Sequence, residues 1–492
     1  MLRFTIPRSL LALLLGGIAL GSAAPANAEK VALPDVLQVA LRQNPSLASA
    51  RIDIDIARAQ VVQSQGIEDL LLRASGTYFL READTVDGNV IGTNSSSSAQ
   101  GEVSIAKLLG TGGTLTLRAA SSRRASTFAV NNTEITEYNS ELSLRLDQPL
   151  LRGRGKELSR AGQSQAKFNR SAAQLDLQAR AQNEIRGIVD AYWELVWSHR
   201  DLEIRVSALE LTRARRKLTE SAIALGSVPR SALVAIDQVV ATQEEDILIS
   251  GQNITTRSLE LRRLTGLEIG PDHLDLHPDE DLRTSPKKYD MRSVVNRALQ
   301  TSPELAALSA RGKGAKIAIA VADNGLLPSL NLNVSAGPLG TDSGISGSLS
   351  GAATGKGYFV GAGLSYEQAL HSQRAQGNRA EAQARVRQVL VGERDLRAQI
   401  ATAAATAVQA AEIAQKRMEL STRAIGLSEQ NIEIEKRRFE SGRSTNFDVL
   451  ERQEELKQAR LRYARATVDY LRAENAIQTL RGEILTQYGI TL

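Results

Sequence analysis

The sequence predicts a mainly α fold with β strands, made of two copies of one long-helix unit. A near-repeat, two long proline-free stretches and three alternating apolar runs predict it. The segment Ala40-Leu41-Arg42-Gln43-Asn44-Pro45-Ser46-Leu47 returns as Ala298-Leu299-Gln300-Thr301-Ser302-Pro303-Glu304-Leu305, and Leu264-Thr265-Gly266 returns as Leu480-Arg481-Gly482. A repeat of this size constrains architecture more than any local pattern. The offset between copies falls from about 258 positions at the first match to about 216 at the second, so the first copy holds about 40 additional residues. They fall in its strand region. Each copy reads helix, strands, very long helix, glycine turn, long helix, with boundaries at 29–266 and 290–482, a linker at 267–289 and a tail at 483–492.

Residues 1–28 read as a secretory signal peptide. Arg3 and Arg8 form the basic start, Leu10 to Leu20 the short apolar run, and Ala26-Asn27-Ala28 a small-residue cleavage site before Glu29. The run is too short to cross a bilayer, and no later stretch approaches the length of a transmembrane helix. The chain has no cysteine, which excludes a lipidated N-terminus and disulfides in an exported context.

The helices come next. From about Glu157 to Leu225 there is no proline and only Gly162 and Gly187; from about Arg374 to Ser441 there is again no proline. Seventy helical residues reach about 100 Å. Apolar positions recur at helical spacing, as in Leu202, Val206 and Leu209 or Leu461, Val468 and Leu471, and such stripes bury one side against neighbouring helices. The alanine-rich seam Ala401 to Ala405 allows close backbone approach. Aromatics make up 4% of the chain, too few for a large conventional core. Lys and Arg number 60 against 55 Asp and Glu; this mixed balance reads as solvated helix faces and gives no nucleic-acid footprint.

The strands alternate. Leu142, Leu144 and Leu146 interleave with polar residues, as do Leu330, Leu332 and Val334; in Tyr358 to Tyr366 the tyrosines bracket an alternating strand. Period two with one apolar face fits a soluble hairpin packed on helices and equally a membrane barrel in an exported protein. The Ser/Gly/Asn-rich stretches Gly92 to Ser98 and Gly340 to Gly357 are expected to be exposed loops. A barrel needs about eight strands to close, and an open edge cannot sit in lipid. Two main hairpins per chain therefore imply several chains sharing one barrel; three chains of four strands give twelve. A further pair, Glu102 to Lys107 and Thr114 to Ala120 joined by Leu109 to Gly113, either enlarges the barrel or lies outside it.

At this point the chain resembles the TolC family of outer-membrane efflux and secretion channels across essentially its mature length. The resemblance rests on both Ala-Leu-x-x-[Asn/Ser]-Pro-x-Leu starts, Leu326-Leu327-Pro328-Ser329-Leu330 entering a strand and Gln148-Pro149-Leu150-Leu151-Arg152-Gly153 leaving one. It also rests on Phe439-x-x-Gly442 followed by Asp448-Val449-Leu450. It implies a homotrimer with an outer-membrane β-barrel shared by the three chains and a periplasmic α-barrel. It further implies a periplasmic adaptor (membrane fusion) protein and an inner-membrane pump of the RND, ABC or another class as partners, with outer-membrane lipid around the barrel.

Two glycine turns join the long helices: Ala224 to Pro229 and Glu440 to Thr445. Glycine supplies the left-handed backbone such a reversal needs. Ser227 or Ser231, and Ser444 or Thr445, can cap the following helix, and Pro229 suits a first turn. By resemblance, Gly226, Ser227, Val228 and Pro229 with Gly442, Arg443, Ser444 and Thr445 are the adaptor-docking tips. Asp448 and Glu451, three apart on one helix face, match the family's aperture carboxylates. Threefold symmetry would gather six acids, which bind cations at a constriction and raise one another's pKa. The sequence departs from the family pattern nearby: Ala232 stands in place of a frequent aspartate, Phe439 of a tyrosine and Ser444 of an arginine. Arg230 and Arg443 are candidates to rebuild the lost polar ties.

Other chemistry is absent from the sequence. The four histidines, His199, His273, His277 and His371, come with no cysteine. His273 and His277 among Asp272, Asp275 and Asp279 read as a solvated linker rather than a metal site. No phosphate loop or nucleophile motif is present, so neither an enzyme nor a cofactor is expected. Arg152, Arg154 and Lys156 after a strand end fit both headgroup contact and a solvated helix start. An outer-membrane-anchored coiled-coil fibre is the alternative, but it would show one uninterrupted heptad stalk. A periplasmic adaptor would show one helical hairpin between strand domains, without duplication.

Overall fold

The computed structural model describes residues 29–87, 90–128, 133–226, 228–271 and 273–491. The signal peptide and Ser227 and Asp272 lie outside them. In chain order the elements are β1 (Glu29–Val31), α1 (Leu33–Gln43), α2 (Pro45–Gln65), β2 (Leu71–Asp87), β3 (Val90–Leu108), β4 (Thr114–Phe128), β5 (Thr133–Pro149), α3 (Lys156–Ser159), α4 (Ala161–Ala224) and α5 (Ser231–Thr265). Then follow β6 (Leu276–Pro278), α6 (Met291–Thr301), α7 (Pro303–Gly325), β7 (Ser329–Asp342), α8 (Ile345–Thr354), β8 (Gly357–Glu367), α9 (Gln373–Glu440), α10 (Asn446–Leu480) and α11 (Ile484–Gln487). The chain is mostly helical, and α4 and α9, at 64 and 68 residues, each rise about 100 Å.

The repeated motif has a local physical role. Asn44 and Ser302 sit in extended conformation, and their side chains accept from the backbone N–H groups of Leu47 and Leu305 at 2.9 and 3.2 Å. Pro45 and Pro303 follow at the first helical positions. Each copy thus breaks one helix and caps the next, with proline where no N–H is required.

Two compact units make up the chain. One takes in the described part of Met1–Gln43 with Ile188–Ser285 and Gln415–Val468. Its core sets Ile204 against Leu461 and Ala464, with Trp197 and Leu282 packed around them. The linker region is more ordered here than a solvated segment: β6 pairs in parallel with β1, burying Leu276, whose carbonyl lies 2.9 Å from His199 Nε2. The His199 ring meets His277 edge-on at 4.7 Å, and burial holds His199 below the ordinary imidazole range. Fully buried Tyr192 donates its hydroxyl to the Val31 carbonyl at 3.1 Å.

The other unit takes in Asn44–Gly187, Pro286–Ala414 and Asp469–Leu492. Alanines dominate its helix packing, as where Ala172, Ala307 and Ala310 meet beside Leu175. It also holds one antiparallel sheet in the order β2-β3-β4-β5-β7-β8. This corrects three expectations. Two main hairpins are expected from the sequence, and the sheet has six strands among the described residues, four from the first copy and two from the second; the pair around 102–120, whose place the sequence leaves open, is part of it. Gly92 to Ser98 is part of β3, paired on β2 through this stretch and also on β4 from Ser95 onward; its small polar residues extend a strand instead of closing a loop. Gly340 to Asp342 continues β7, and Ile345–Thr354 forms α8.

Small residues explain where α8 lies. Gly76, Gly101, Ser121, Ser140 and Gly340 pair in sequence across β2, β3, β4, β5 and β7. They leave a shallow furrow on the face that carries Leu142. Ser348 is fully buried in it, its Oγ 2.9 Å from Ser140 Oγ. A Cβ on Gly340 would stand 2.1 Å from the Ser348 carbonyl oxygen, so only glycine admits the helix there.

Candidate functional site

Two features are built to act: the sheet, which can form a wall, and the turns that join the long helices. Along the sheet, Leu72 faces Ile105, Ile105 faces Leu117, Leu117 faces Leu144, Leu144 faces Ala336 and Ala336 faces Val360. One apolar row therefore crosses all six strands. Leu72, Ile105, Leu117, Leu144 and Val360 are between 42% and 73% exposed. An apolar face this wide marks contact with a membrane or another protein. Tyr358 and Tyr366 end its β8 edge, eight residues apart, or about 26 Å at strand rise, close to the apolar height of a membrane barrel.

The opposite face is polar. Arg118 on β4 donates to Glu102 Oε2 on β3 from Nε and Nη2 at 3.0 and 2.7 Å, and through Nη1 to Glu141 on β5. Thus acid, base and acid stand in a row across three strands. At the foot of the sheet Arg152 pairs with Glu367 at 3.7 Å, while Lys156 opens α3. No helix among the described residues is long and apolar enough to cross a membrane, and no cluster of metal-ligating side chains occurs among them.

The two turns both use left-handed glycine, Gly226 at φ +73° and Gly442 at φ +72°. Gly442 N–H bonds the Phe439 carbonyl at 2.9 Å and Arg443 N–H the Arg438 carbonyl at 2.8 Å, the paired bonds that close a helix end. At the first turn Gly226 N–H reaches the Ile223 carbonyl at 2.9 Å; Ser227, its neighbour, lies outside the described residues, and Val228 is partly covered while Pro229 is exposed. Ser231 does not cap α5. Arg230 occupies that position in helical conformation with no side-chain bond, and the first turn tightens onto the Pro229 and Arg230 carbonyls. A helical Arg230 leaves no extended residue from which a side chain could reach back.

The second turn is capped. Thr445 Oγ1 accepts from the Asp448 N–H at 3.3 Å, and the Asp448 carboxylate accepts from Thr445 N–H at 2.8 Å and from its hydroxyl at 2.7 Å. This is a reciprocal capping box. Ser444 Oγ stands 3.1 Å from Asp448 Oδ2 and also contacts Glu435; one hydroxyl proton serves one carboxylate at a time. The Thr445 bonds, backbone first, hold Asp448 below the ordinary carboxylate range. Within one chain this opposes the rise expected from a ring of acids. Glu451 is half exposed beside Arg452, 3.2 Å away.

Sequence reasoning missed the ties around these turns. The Arg215 guanidinium lies 4.8 Å from the Phe439 ring centroid, and burial lowers its pKa. Arg230 and Arg443, the expected replacements, are exposed and form no ion pair among the described residues. Farther along, Asp201 accepts from Arg205 at 2.8 Å, Arg205 also pairs with Asp246 at 2.8 Å, and buried Lys457 pairs with Glu454 at 2.7 Å and reaches Asp246 at 3.9 Å. The Arg205–Asp201 and Lys457–Glu454 pairs are local to α4 and α10, but Asp246 on α5 joins them, and no one sequence window contains those links.

Comparison with known proteins adds a family match over part of the chain. Residues 294–483 match the family described as outer membrane efflux protein; a sequence search of the curated proteins finds no match. Among solved structures the chain is similar to the outer-membrane channel OprN, at 18% identity and a TM-score of 0.68, over 92% of this chain and 90% of that one. It is also similar to the Campylobacter jejuni CmeC outer membrane channel, at 16% and 0.66 over 92% and 86%. The outer membrane protein VceC from Vibrio cholerae gives 18% and 0.65 over 92% and 96%. At these identities the likeness shows the fold, and with the family match it bears out the resemblance read from the motifs.

Proposed function

We propose that this chain, whose residues 294–483 match the outer membrane efflux proteins, forms a homotrimeric duct in the outer membrane with a long periplasmic helical part. The duct is passive. It is the exit of a tripartite efflux or type I secretion system, joined through a periplasmic adaptor to an inner-membrane pump of the RND, ABC or another class. The observation that carries this reading is the sheet: one face apolar and exposed except where α8 covers its furrow, the other charged, both edges unpaired among the described residues. Such a sheet is stable in lipid only when several copies close a ring around water. The two repeats, 29–266 and 290–482, supply the helices that line the route.

The glycine turns are the docking tips of this reading: Gly226 to Pro229, and Gly442 to Thr445. Asp448 and Glu451 stand just past the second tip and ring the narrowest point. Native mass spectrometry of outer-membrane extracts tests the assembly; a trimer is expected, and a stable monomer overturns the reading. Single-channel recording tests the ring. Divalent cations added on the periplasmic side should block wild type, and the Asp448→Asn, Glu451→Gln double variant should resist block at equal open conductance. Equal block of both proteins places the acids on a solvated face.

A further inference from the structure

We infer that β2 and β8 are the two halves of one intermolecular seam, β2 of each chain pairing with β8 of the next, so that three chains close an eighteen-stranded barrel. The count rests on the trimeric reading above; the seam rests on the sheet itself. β2 and β8 are its outer strands. β2 runs away from the helical end and β8 runs back toward it, so the strand that each would meet in a neighbour is antiparallel. Exposed edges are ordinarily guarded by charged residues, lysine above all, by proline or by a bulge; from Leu71 to Leu80 β2 carries one charge, Arg73, and its acids cluster beyond, from Glu82 to Asp87. Neither Leu71–Asp87 nor Gly357–Glu367 contains lysine or proline, and their inner ladders run in unbroken register.

The alternative is that only β4, β5, β7 and β8 form the wall, with the β2–β3 hairpin outside it and twelve strands in the trimer. Three observations oppose this. β3 pairs with β4 without a break from Ser95–Thr127 to Leu108–Thr114. The Glu102–Arg118–Glu141 row carries the polar face from β5 across β4 onto β3. The apolar face also continues onto β2, where Leu72, Tyr78 and Leu80 are 69%, 67% and 63% exposed; outside a membrane that exposure is unfavourable. At about 4.8 Å between strands and about 40° tilt, eighteen strands set opposite backbones roughly 36 Å apart, against roughly 24 Å for twelve. The apolar faces must also be continuous across the seam. Leu72, Ala74 and Gly76 therefore point to the same side as Ala362, Leu364 and Tyr366.

The chain contains no cysteine, so introduced pairs report without background. The test places Ala74→Cys with Ala362→Cys or with Leu364→Cys in the full-length protein in outer membranes, followed by mild oxidation and non-reducing electrophoresis. At least one pair should link chains into covalent trimers, while Ala74→Cys with Gly363→Cys, on opposite faces, should remain unlinked. The competing pair is Ala119→Cys with Ala362→Cys. Linkage there makes β4 the edge, restores twelve strands and overturns the seam while leaving the channel reading intact. A trimer by native mass spectrometry with no linkage at Ala74 overturns the seam as well. A closed, covalently linked dimer overturns both the count of eighteen and the trimeric reading.

Discussion

The two helix turns occupy equivalent places in the two repeats, yet they are held differently. The second has both backbone bonds of a closed helix end, a reciprocal Thr445–Asp448 cap and a cation–ring contact behind it. The first, among the described residues, which leave out Ser227, has its glycine bond, no side-chain cap at Arg230 and a tightened entry onto α5. Among the described residues the second reversal is thus anchored by side chains at the turn itself, whereas the first is tied farther back, where Arg216 and Arg213 on α4 meet Asp237 and Glu244 on α5. Duplicated sequence positions preserve the path of the chain more strictly than the interactions that fix it. On the proposed reading, the first turn is the tip freer to adjust to a partner.

The largest expected effect strikes both turns. A Cβ at Gly226 or Gly442 meets nothing within 4 Å, so the cost of substitution is conformational alone. Gly442→Val and Gly226→Val should each weaken their turn by about 2 kcal/mol, because a β-branched residue resists positive φ. Hydrogen exchange of the flanking amides checks this, and adaptor crosslinking shows whether docking follows. Unchanged exchange at Gly442→Val would mean that the turn is not held in the described form.

A smaller effect separates the turns. Thr445→Ala removes the reciprocal cap and should cost about 1 kcal/mol, or about fivefold faster exchange at the start of α10. Ser231→Ala should change α5 by less than about 0.5 kcal/mol, as a surface position away from any cap. Equal losses at the two sites would erase the contrast.

Acidity tests the same contrast. Asp448 has a folded-state pKa below its ordinary value of 3.8. Its stabilising contribution is therefore complete above the unfolded value and is lost as pH falls through the lower, folded one. Exchange protection at the start of α10 should differ between wild type and Asp448→Asn near neutrality, and that difference should vanish at the most acidic pH the protein tolerates. The first turn should show no such dependence. The smallest effect is Phe439→Leu, which removes the ring beneath Arg215 and should cost about 0.5 kcal/mol, read as a slight loosening of the second turn only.

Much of this was legible in the sequence where one residue type had one physical use. Proline-free runs of good helix formers gave α4 and α9. Glycine between long helices gave the positive φ at both turns. Leu142, Leu144 and Leu146 gave a correctly facing strand. Reading failed where composition and context compete. Ser95 to Ser98 lacks alternation because both faces of that part of β3 carry small or polar groups, so its pairing is visible only from β2 and β4. The small residues of α8 resemble a loop until the furrow beneath them is known. Ser231 offered a hydroxyl, but Arg230 has the wrong backbone conformation to make it a cap. The Thr445 cap is legible in the sequence, but its reciprocal half is not, because Asp448 reads there as an aperture acid; the β1–β6 pair is hidden because three residues are too few to show a period.

The unequal lengths of the strands bear on where cargo leaves the duct. A membrane strand needs about ten residues to cross; β2 and β3 have 17 and 19, whereas β8 has 11. On the proposed reading, the first repeat's hairpins stand above the headgroups like merlons, roughly 20 Å tall at strand rise, and the second repeat's hairpin forms the gap beside each. Discharge then occurs beyond the lipid surface, which hinders an apolar cargo from dissolving straight back into the leaflet it has just passed.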